Sequence, residues 1–191
     1  MSQRDDLLAG ARRCLADKGY ARTTARDIAA ASGAHLASIG YHFGSKDNLM
    51  NAAIMEATGE WGDTIEAAVE AASETEPTRR FEVWLDHLLA AIPGERDLLV
   101  ASIQAFAQAQ FDERMRTALA EGGGTARESF AAVLLGLPRD QVGPEERESV
   151  GAAAQALILG LIVQSLIDPG AVPGSKALIA GLRGLTTSPD P

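Results

Sequence analysis

Between Thr24 and Lys46 the chain sets small and hydrogen-bonding side chains at short spacing. The run is Thr24-x-x-Asp27-Ile28-Ala29-x-x-Ser32-Gly33, then His35-Leu-Ala-Ser-Ile-Gly-Tyr-His-Phe43, then Gly44-Ser45-Lys46. Ser38 can bond the donor or the acceptor edge of a base, and the Ala37 methyl suits a thymine methyl. Tyr41 and His42 carry O–H and N–H donors of the kind that hold phosphate oxygens. Lys46 brings a cation to the expected start of a helix, where free N–H groups and the dipole also favour an anion. Thr24 and the start of its own helix make a second phosphate clamp, with Arg22 or Arg26 beside it. The chemistry these residues suit is recognition of a polyanion with readable edges.

Such a set needs elements that hold it in place. Thr24 can open a helix with Asp27 as its capping partner. Ser32-Gly33-Ala34 breaks that helix, and Gly33 supplies the positive φ of a tight turn. Ile28 and Ile39 can face each other across the turn, and Ala29 is small enough for a close crossing. A second helix follows from about His35 to Tyr41. At 100° per residue its Leu36 and Ile39 cannot share a face with Ala37, Ser38 and Tyr41. An earlier helix starts after Ser2, with Asp5 as capping partner and an apolar stripe at Leu7, Leu8, Ala11, Cys14 and Leu15, and stops at Gly19. Ser45 can cap a long fourth helix from Lys46. The pattern predicts a helix-turn-helix whose second helix enters the major groove. The same spacing also serves an ordinary αα-hairpin. Tyr41 and Phe43 can pack, and His42 can serve a phosphate or an internal hydrogen bond.

The rest of the chain is expected to be all-α as well. Of the 191 residues 35 are alanine, β-branched residues are sparse, and no alternating strand pattern occurs. Helices are expected at about 78–92, 96–109, 111–121, 125–136, 145–167 and 174–185. Pro93-Gly94, Gly122-Gly123-Gly124, Pro138, Gly143-Pro144 and Asp168-Pro169-Gly170 punctuate them, and the tail Thr186–Pro191 is expected to fray. Ser149–Ile167 has no charged residue and nears the length of a membrane span. Its Gln, Ser and Gly residues and the Glu-rich stretch before it point instead to a helix buried between neighbours.

One cysteine excludes a disulfide framework within the chain, and three histidines leave a metal site unexpected. No cofactor is implied. The start lacks the pattern of a secretory signal, so the cytoplasm is the expected location. The net charge of −9 is unevenly spread, +2 over residues 1–50 and −11 over 51–191. That suits an anion-binding head on an acidic body.

Ile28-Ala29-x-x-Ser-Gly-Ala34 and Tyr41-His-Phe-Gly-Ser-Lys-Asp47-x-Leu49 resemble the N-terminal domain of the TetR family of bacterial transcriptional regulators. The likeness spans about residues 7–55; beyond it the chain is similar only in helical layout and length. The resemblance implies a three-helix DNA-binding head, residues 1–46, and a larger helical body for effector binding and dimerisation, residues 47–191. It implies a homodimer on palindromic double-stranded DNA. By position Thr24, His35, Ala37, Ser38, Tyr41, His42 and Lys46 fall where family members touch DNA, and Phe43 falls where helix 3 packs on helix 1. Arg26 joins them as a neighbour of the Thr24 clamp. Two residues depart from the family pattern. His35 stands where Ser or Asn is frequent, and Gly40 stands where an aromatic residue or Asn is frequent.

In the body, Trp84, His87 and Leu88 recur at i, i+3 and i+4. With Trp61, Phe106 and Gln110 they are candidates for a small-molecule pocket, and their mostly apolar character suggests a lipophilic or aromatic effector. Plain core is the competing reading for each. Ala152, Ala156 and Gly160 permit close helix approach, and Leu159, Val163, Leu178 and Leu182 add apolar area. Together they form a candidate dimer face of two helices per protomer. The expected function is a ligand-responsive repressor rather than an enzyme: Asp86 and His87 are adjacent and point to different helix faces, and no nucleophile, phosphate-loop or metal spacing occurs. A helical adaptor without DNA binding is the alternative, motivated by His35 and Gly40.

Overall fold

The structure, a computed structural model, describes residues 2–186, and no strand occurs among them. Of the expected frayed tail only Thr186 is described, and the remainder lies outside the described residues. The chain forms α1 (Gln3–Lys18), α2 (Ala25–Ser32), α3 (Leu36–Phe43), α4 (Lys46–Ala71), α5 (Pro77–Ala91), α6 (Arg96–Gln108) and α7 (Glu113–Leu135). Then α8 (Pro144–Glu146) passes through a π turn, Arg147–Gly151, into α9 (Ala152–Ile167), and α10 (Ser175–Thr186) follows. Contacts divide the chain into two compact units: Met1–Trp61 with Glu95–Gly123, and Gly62–Gly94 with Gly124–Pro191.

The helix starts follow local chemistry. Ser2 and Asp5 form a reciprocal capping box, as do Thr24 and Asp27, so each pair satisfies two main-chain N–H groups left free at a helix start. The Ser45 hydroxyl accepts from the Asn48 N–H at 3.0 Å at the start of α4. Glu76 caps α5, its carboxylate accepting from the N–H groups of Thr78 (3.0 Å) and Arg79 (2.7 Å), with Pro77 at the first helical position. Asp112 caps α7 in the same way through Arg114 and Met115.

One expected break is absent. The separate helices at 111–121 and 125–136 are a single α7 that runs through Gly122-Gly123-Gly124. Glycine inside a helix costs up to about 1 kcal/mol relative to alanine, and tertiary packing overrides that preference here. A Cβ at Gly122 would fall 2.9 Å from Cε of Met55 on α4, so the bare backbone lets the two helices close together. Gly151 does similar work in the second unit. A Cβ there would fall 2.8 Å from the Arg127 carbonyl carbon of α7 and closer still to its oxygen. The π turn lies at this crossing.

The core of the first unit joins Leu7, Ala11 and Leu15 of α1 to Ile28, Ile39 and, from α4, Leu49, Met50 and Ala53. Leu98, Ala101 and Ala105 of α6 and Met115 of α7 complete it. The three short helices of the expected head therefore share their core with α4, α6 and α7.

Candidate nucleic-acid interface

The α2–α3 corner is fixed from inside. Ile28 and Ile39 are both buried, facing the core from the two sides of the turn. Gly33 adopts φ 71°, ψ 7°, a left-handed conformation that suits glycine. The Ala34 N–H donates to the Ser32 hydroxyl at 3.2 Å. On the α1 side, a Cβ at Gly10 would fall 2.8 Å from that of Ser32, so glycine allows α1 to approach the end of α2. Arg13 donates to the Ala31 carbonyl. The buried Thr23 hydroxyl spans the Cys14 (3.2 Å) and Gly19 (2.8 Å) carbonyls and ties the α1–α2 loop down.

The core-fixed corner leaves one face of α3 to solvent. Ala37 and Gly40 are exposed, Ser38 is partly exposed and Tyr41 is 86% exposed. Leu36 is 48% exposed as well. It adds an apolar side chain beside Ala37, suited to a thymine methyl, that the 100° rule alone did not single out. His35 takes the N-cap position with extended backbone but makes no side-chain cap bond. Phe43 packs against the core, and the Arg4 guanidinium of α1 lies 5.2 Å from its ring centroid.

The expected phosphate groups differ in how free they are. Tyr41 stands in solvent with its ring edge-on to His42, 4.8 Å between centroids. His42 Nε2 lies 3.4 Å from the Gln3 side-chain oxygen, an internal contact. The Thr24 hydroxyl donates to Asp27 at 2.6 Å and accepts from the Asp27 N–H, so it is occupied as a cap. The capping box takes up the N–H groups of Thr24 and Asp27 and leaves those of Ala25 and Arg26 at the helix start for an anion. Arg26 is exposed. The Lys18 ammonium, 2.6 Å from Asp27, and the bonds from Thr24 hold the Asp27 carboxyl well below the usual carboxylate range.

Lys46 is the most heavily engaged of the set. Its Nζ lies 3.4 Å from the Thr23 carbonyl oxygen, 3.0 Å from an Asp47 carboxylate oxygen and 5.0 Å from the Tyr20 ring centroid. Tyr20 in turn donates to Asp47 at 3.2 Å. Burial first, and then the Asp47 charge, push the Tyr20 hydroxyl up to about 12.

The residues expected to hold an effector are not gathered in one place. Trp84 is 3% exposed, stacked on Phe81 (5.8 Å between centroids) with Phe130 edge-on at 6.0 Å. His87 is exposed although Trp84 and Leu88 are buried, because i+3 and i+4 fall on opposite flanks of the stripe. Phe106 and Gln110 are exposed and belong to the first unit with Trp61, whose buried indole N–H has no acceptor among the described residues. A cavity of about 320 Å³ lies in the second unit, with Glu66, Glu70, Arg80, Val133, Leu137 and Arg139 among its lining. None of the five expected residues borders it.

The expected dimer residues lie on α9 and α10. Ala156, Val163 and Leu182 are exposed, and Ala152, Leu159, Gly160 and Leu178 are partly exposed. Ile167, 80% exposed, and Leu185, 84% exposed, extend the same faces at helical spacing beyond the residues read from sequence. Pro144–Ile167 is by length and composition apolar enough to cross a membrane, and one third of its most apolar window is buried within the chain.

Comparison with known proteins gives a consistent result. Residues 7–53 match the profile of bacterial regulatory proteins, tetR family, and residues 77–187 match that of the BetI-type transcriptional repressor, C-terminal. The chain is 28% identical over 178 residues to the HTH-type transcriptional regulator BetI of Rhizobium meliloti, covering 92% of this chain and 85% of that one. It is 42% identical over 55 residues to the HTH-type transcriptional repressor AcnR of Corynebacterium glutamicum, covering 29% of each. The match to AcnR of Corynebacterium efficiens is 35% identical over 65 residues, 34% of this chain and 35% of that one. The chain thus spans about a third of the length of these two AcnR relatives. Among solved structures, a TetR transcription regulator from Haloarcula marismortui is similar in fold, with TM-score 0.62, 22% identity and coverage of 95% and 93%. The multidrug binding protein EbrR, complexed with proflavin, gives TM-score 0.67, 23% identity and coverage of 96% and 99%.

Proposed function

The chain belongs to the tetR family of bacterial regulatory proteins, and on that premise we propose that it is a homodimeric repressor of the cytoplasm that holds a palindromic operator and releases it when a small effector binds its second unit. The observation that carries the reading is the outward face of α3, with Ala37 and Tyr41 exposed and Ser38 partly exposed on a corner locked by Ile28, Gly33 and Ile39. In the proposed complex Ala37, Ser38 and Leu36 meet base edges. Tyr41, Lys46 and the α2 start with Thr24 and Arg26 hold phosphates, and His35 and His42 flank the contact. The head carries the positive share of the charge, and the acidic body keeps nonspecific contacts down.

Dimerisation draws support from the unpartnered apolar face of Ala156, Gly160, Val163 and Ile167 on α9 with Leu178, Leu182 and Leu185 on α10. An isologous pairing of that face covers it and presents two copies of α3 to one duplex. α4 has its first turn in the first unit and its end in the second, so it is the continuous element through which an effector acts on the head. The lipophilic character expected of the effector draws no support from the placement of Trp61, Trp84, His87, Phe106 and Gln110.

Selection from random duplex DNA with the full chain tests the reading. The expected product is a palindrome with half-sites about one or two helical turns apart. Binding to it should fall with salt by about 0.9 in log K per neutralised phosphate per log unit. Equal retention of that DNA by a Ser38→Ala/Tyr41→Ala variant would remove α3 as the reading element. Absence of any enriched palindrome would favour the adaptor.

A further inference from the structure

The cavity of the second unit holds balanced but unequally paired charges. Four ionised side chains line it: Glu66 and Glu70 of α4, Arg80 of α5, and Arg139 just past α7. Two of these satisfy each other, since Arg139 donates to Glu66 at 2.7 Å, with Asp63 a further 3.7 Å partner. Arg80 and Glu70 remain. Arg80 is half-buried, and its Nε and one Nη donate to neutral main-chain oxygens, those of Val133 and, at 3.0 Å, Glu74. No carboxylate among the described residues comes within ion-pairing distance of it. The Glu70 carboxylate likewise has no hydrogen bond or ion pair among the described residues.

The two carbonyls fix the guanidinium plane but leave three of its five N–H donors for another acceptor. Gly136 adds to this. It sits at φ 67°, and a Cβ there would lie 3.7 Å from the Arg80 Cζ, covering the guanidinium that glycine leaves bare. A cation partly withdrawn from water gains most from a bidentate anion, and a carboxylate fits the fork of an arginine. Ala132, Val133 and Leu137 supply an apolar wall. A volume of about 320 Å³ belongs with small-molecule sites of the lower size range.

We propose that this cavity binds a small amino-carboxylate, its carboxylate on Arg80, its cationic group toward Glu70 and its aliphatic chain along Val133 and Leu137. The proposal rests on the effector reading above for its consequence, release of DNA, while the site itself is tested without DNA. The Glu66–Arg139 pair stays intact and serves as a wall. A purely lipophilic compound leaves both unpaired charges unmet and binds poorly here.

The probes are glycine, β-alanine, 4-aminobutyrate and 6-aminohexanoate, with butyrate and butylamine as single-charge controls, titrated calorimetrically into the full chain. One length of the series should saturate and bind about tenfold or more tighter than butylamine. Arg80→Gln should weaken every carboxylate probe by about tenfold or more, and Glu70→Gln should abolish the preference for the amino-carboxylate over butyrate. Glu70 is exposed and its carboxylate has no hydrogen bond or ion pair among the described residues, so its variant reports on the site even if Arg80→Gln destabilises the unit. Failure of the whole series to saturate at millimolar concentration overturns the proposal, as does binding that both variants leave unchanged. Saturable, variant-sensitive binding with no change in operator affinity upholds the site and overturns its role as the effector site.

Discussion

Lys46 stands where a phosphate contact is proposed, yet Asp47 already claims it. The pair is 3.0 Å apart, Asp47 is exposed, and the same carboxylate accepts from Tyr20. A phosphate approaching Lys46 must share the ammonium with Asp47 and also meets the like charge of that carboxylate. Asp47→Asn removes both costs and keeps an oxygen that can accept from Tyr20, so the local frame survives. An exposed pair of this kind is worth about 0.2–1 kcal/mol. A gain of about 0.5–1 kcal/mol per head is two- to fivefold in affinity, and about five- to thirtyfold for a dimer using both heads.

The assay is fluorescence anisotropy with the selected operator, titrated across salt concentrations. Asp47→Asn should raise affinity most at low salt, because the repulsion it removes is screened at high salt. Lys46→Gln is the companion variant. It should lower the slope of log K against log salt by about 0.9 for each lost phosphate contact, so about 1.8 for a dimer. Thermal melting of each variant checks that the hold of Lys46 on the Thr23 carbonyl has not been lost with it. Unchanged or weaker binding by Asp47→Asn, together with an unchanged slope for Lys46→Gln, would refute the reasoning and leave Lys46 as a structural tie between Thr23, Tyr20 and Asp47.

Four further outcomes follow from single positions. Tyr20 holds its proton up to about 12 while the unfolded chain releases it near 10, so the fold binds more protons over that interval and stability falls as pH rises through it. The ring is only part-buried, so the loss is screened to about 1 kcal/mol, and urea midpoints of Tyr20→Phe should decline less over the same pH range. His35→Ser supplies the cap bond that α3 lacks and should raise stability by about 0.5–1 kcal/mol in the same assay. Gly151→Ala drives a methyl into the Arg127 carbonyl and should cost about 2 kcal/mol or more. Gly160→Ala meets no atom within 4 Å in the protomer, so it should leave protomer stability unharmed while loosening the dimer in sedimentation equilibrium.

The parts of this molecule that can be read from sequence are those whose causes lie within a few residues. Ser2 with Asp5, Thr24 with Asp27, Ser45 and Gly33 each settle a helix end or a turn through groups no more than three positions apart, and the structure has all of them as the spacing implies. The α2–α3 corner is legible for that reason. A duplex is a fixed shape, and the side chains facing it come from one short helix and its flanks. The unread features depend on residues far apart in the chain. Gly122-Gly123-Gly124 reads as a break until Met55, far earlier in the chain, is seen to need the space. Lys46 reads as a free cation until Tyr20 and Thr23 are brought beside it. His87 reads with Trp84 and Leu88 on one stripe until the neighbouring helices cover only part of it. The cavity is the extreme case, because its unpaired charges sit on α4 and α5 and the glycine beside Arg80 lies past the end of α7. No spacing rule links Glu70, Arg80 and Gly136; only packing does. An effector site can therefore change its chemistry by substitutions scattered along the chain while the local signals that build the head stay as they are.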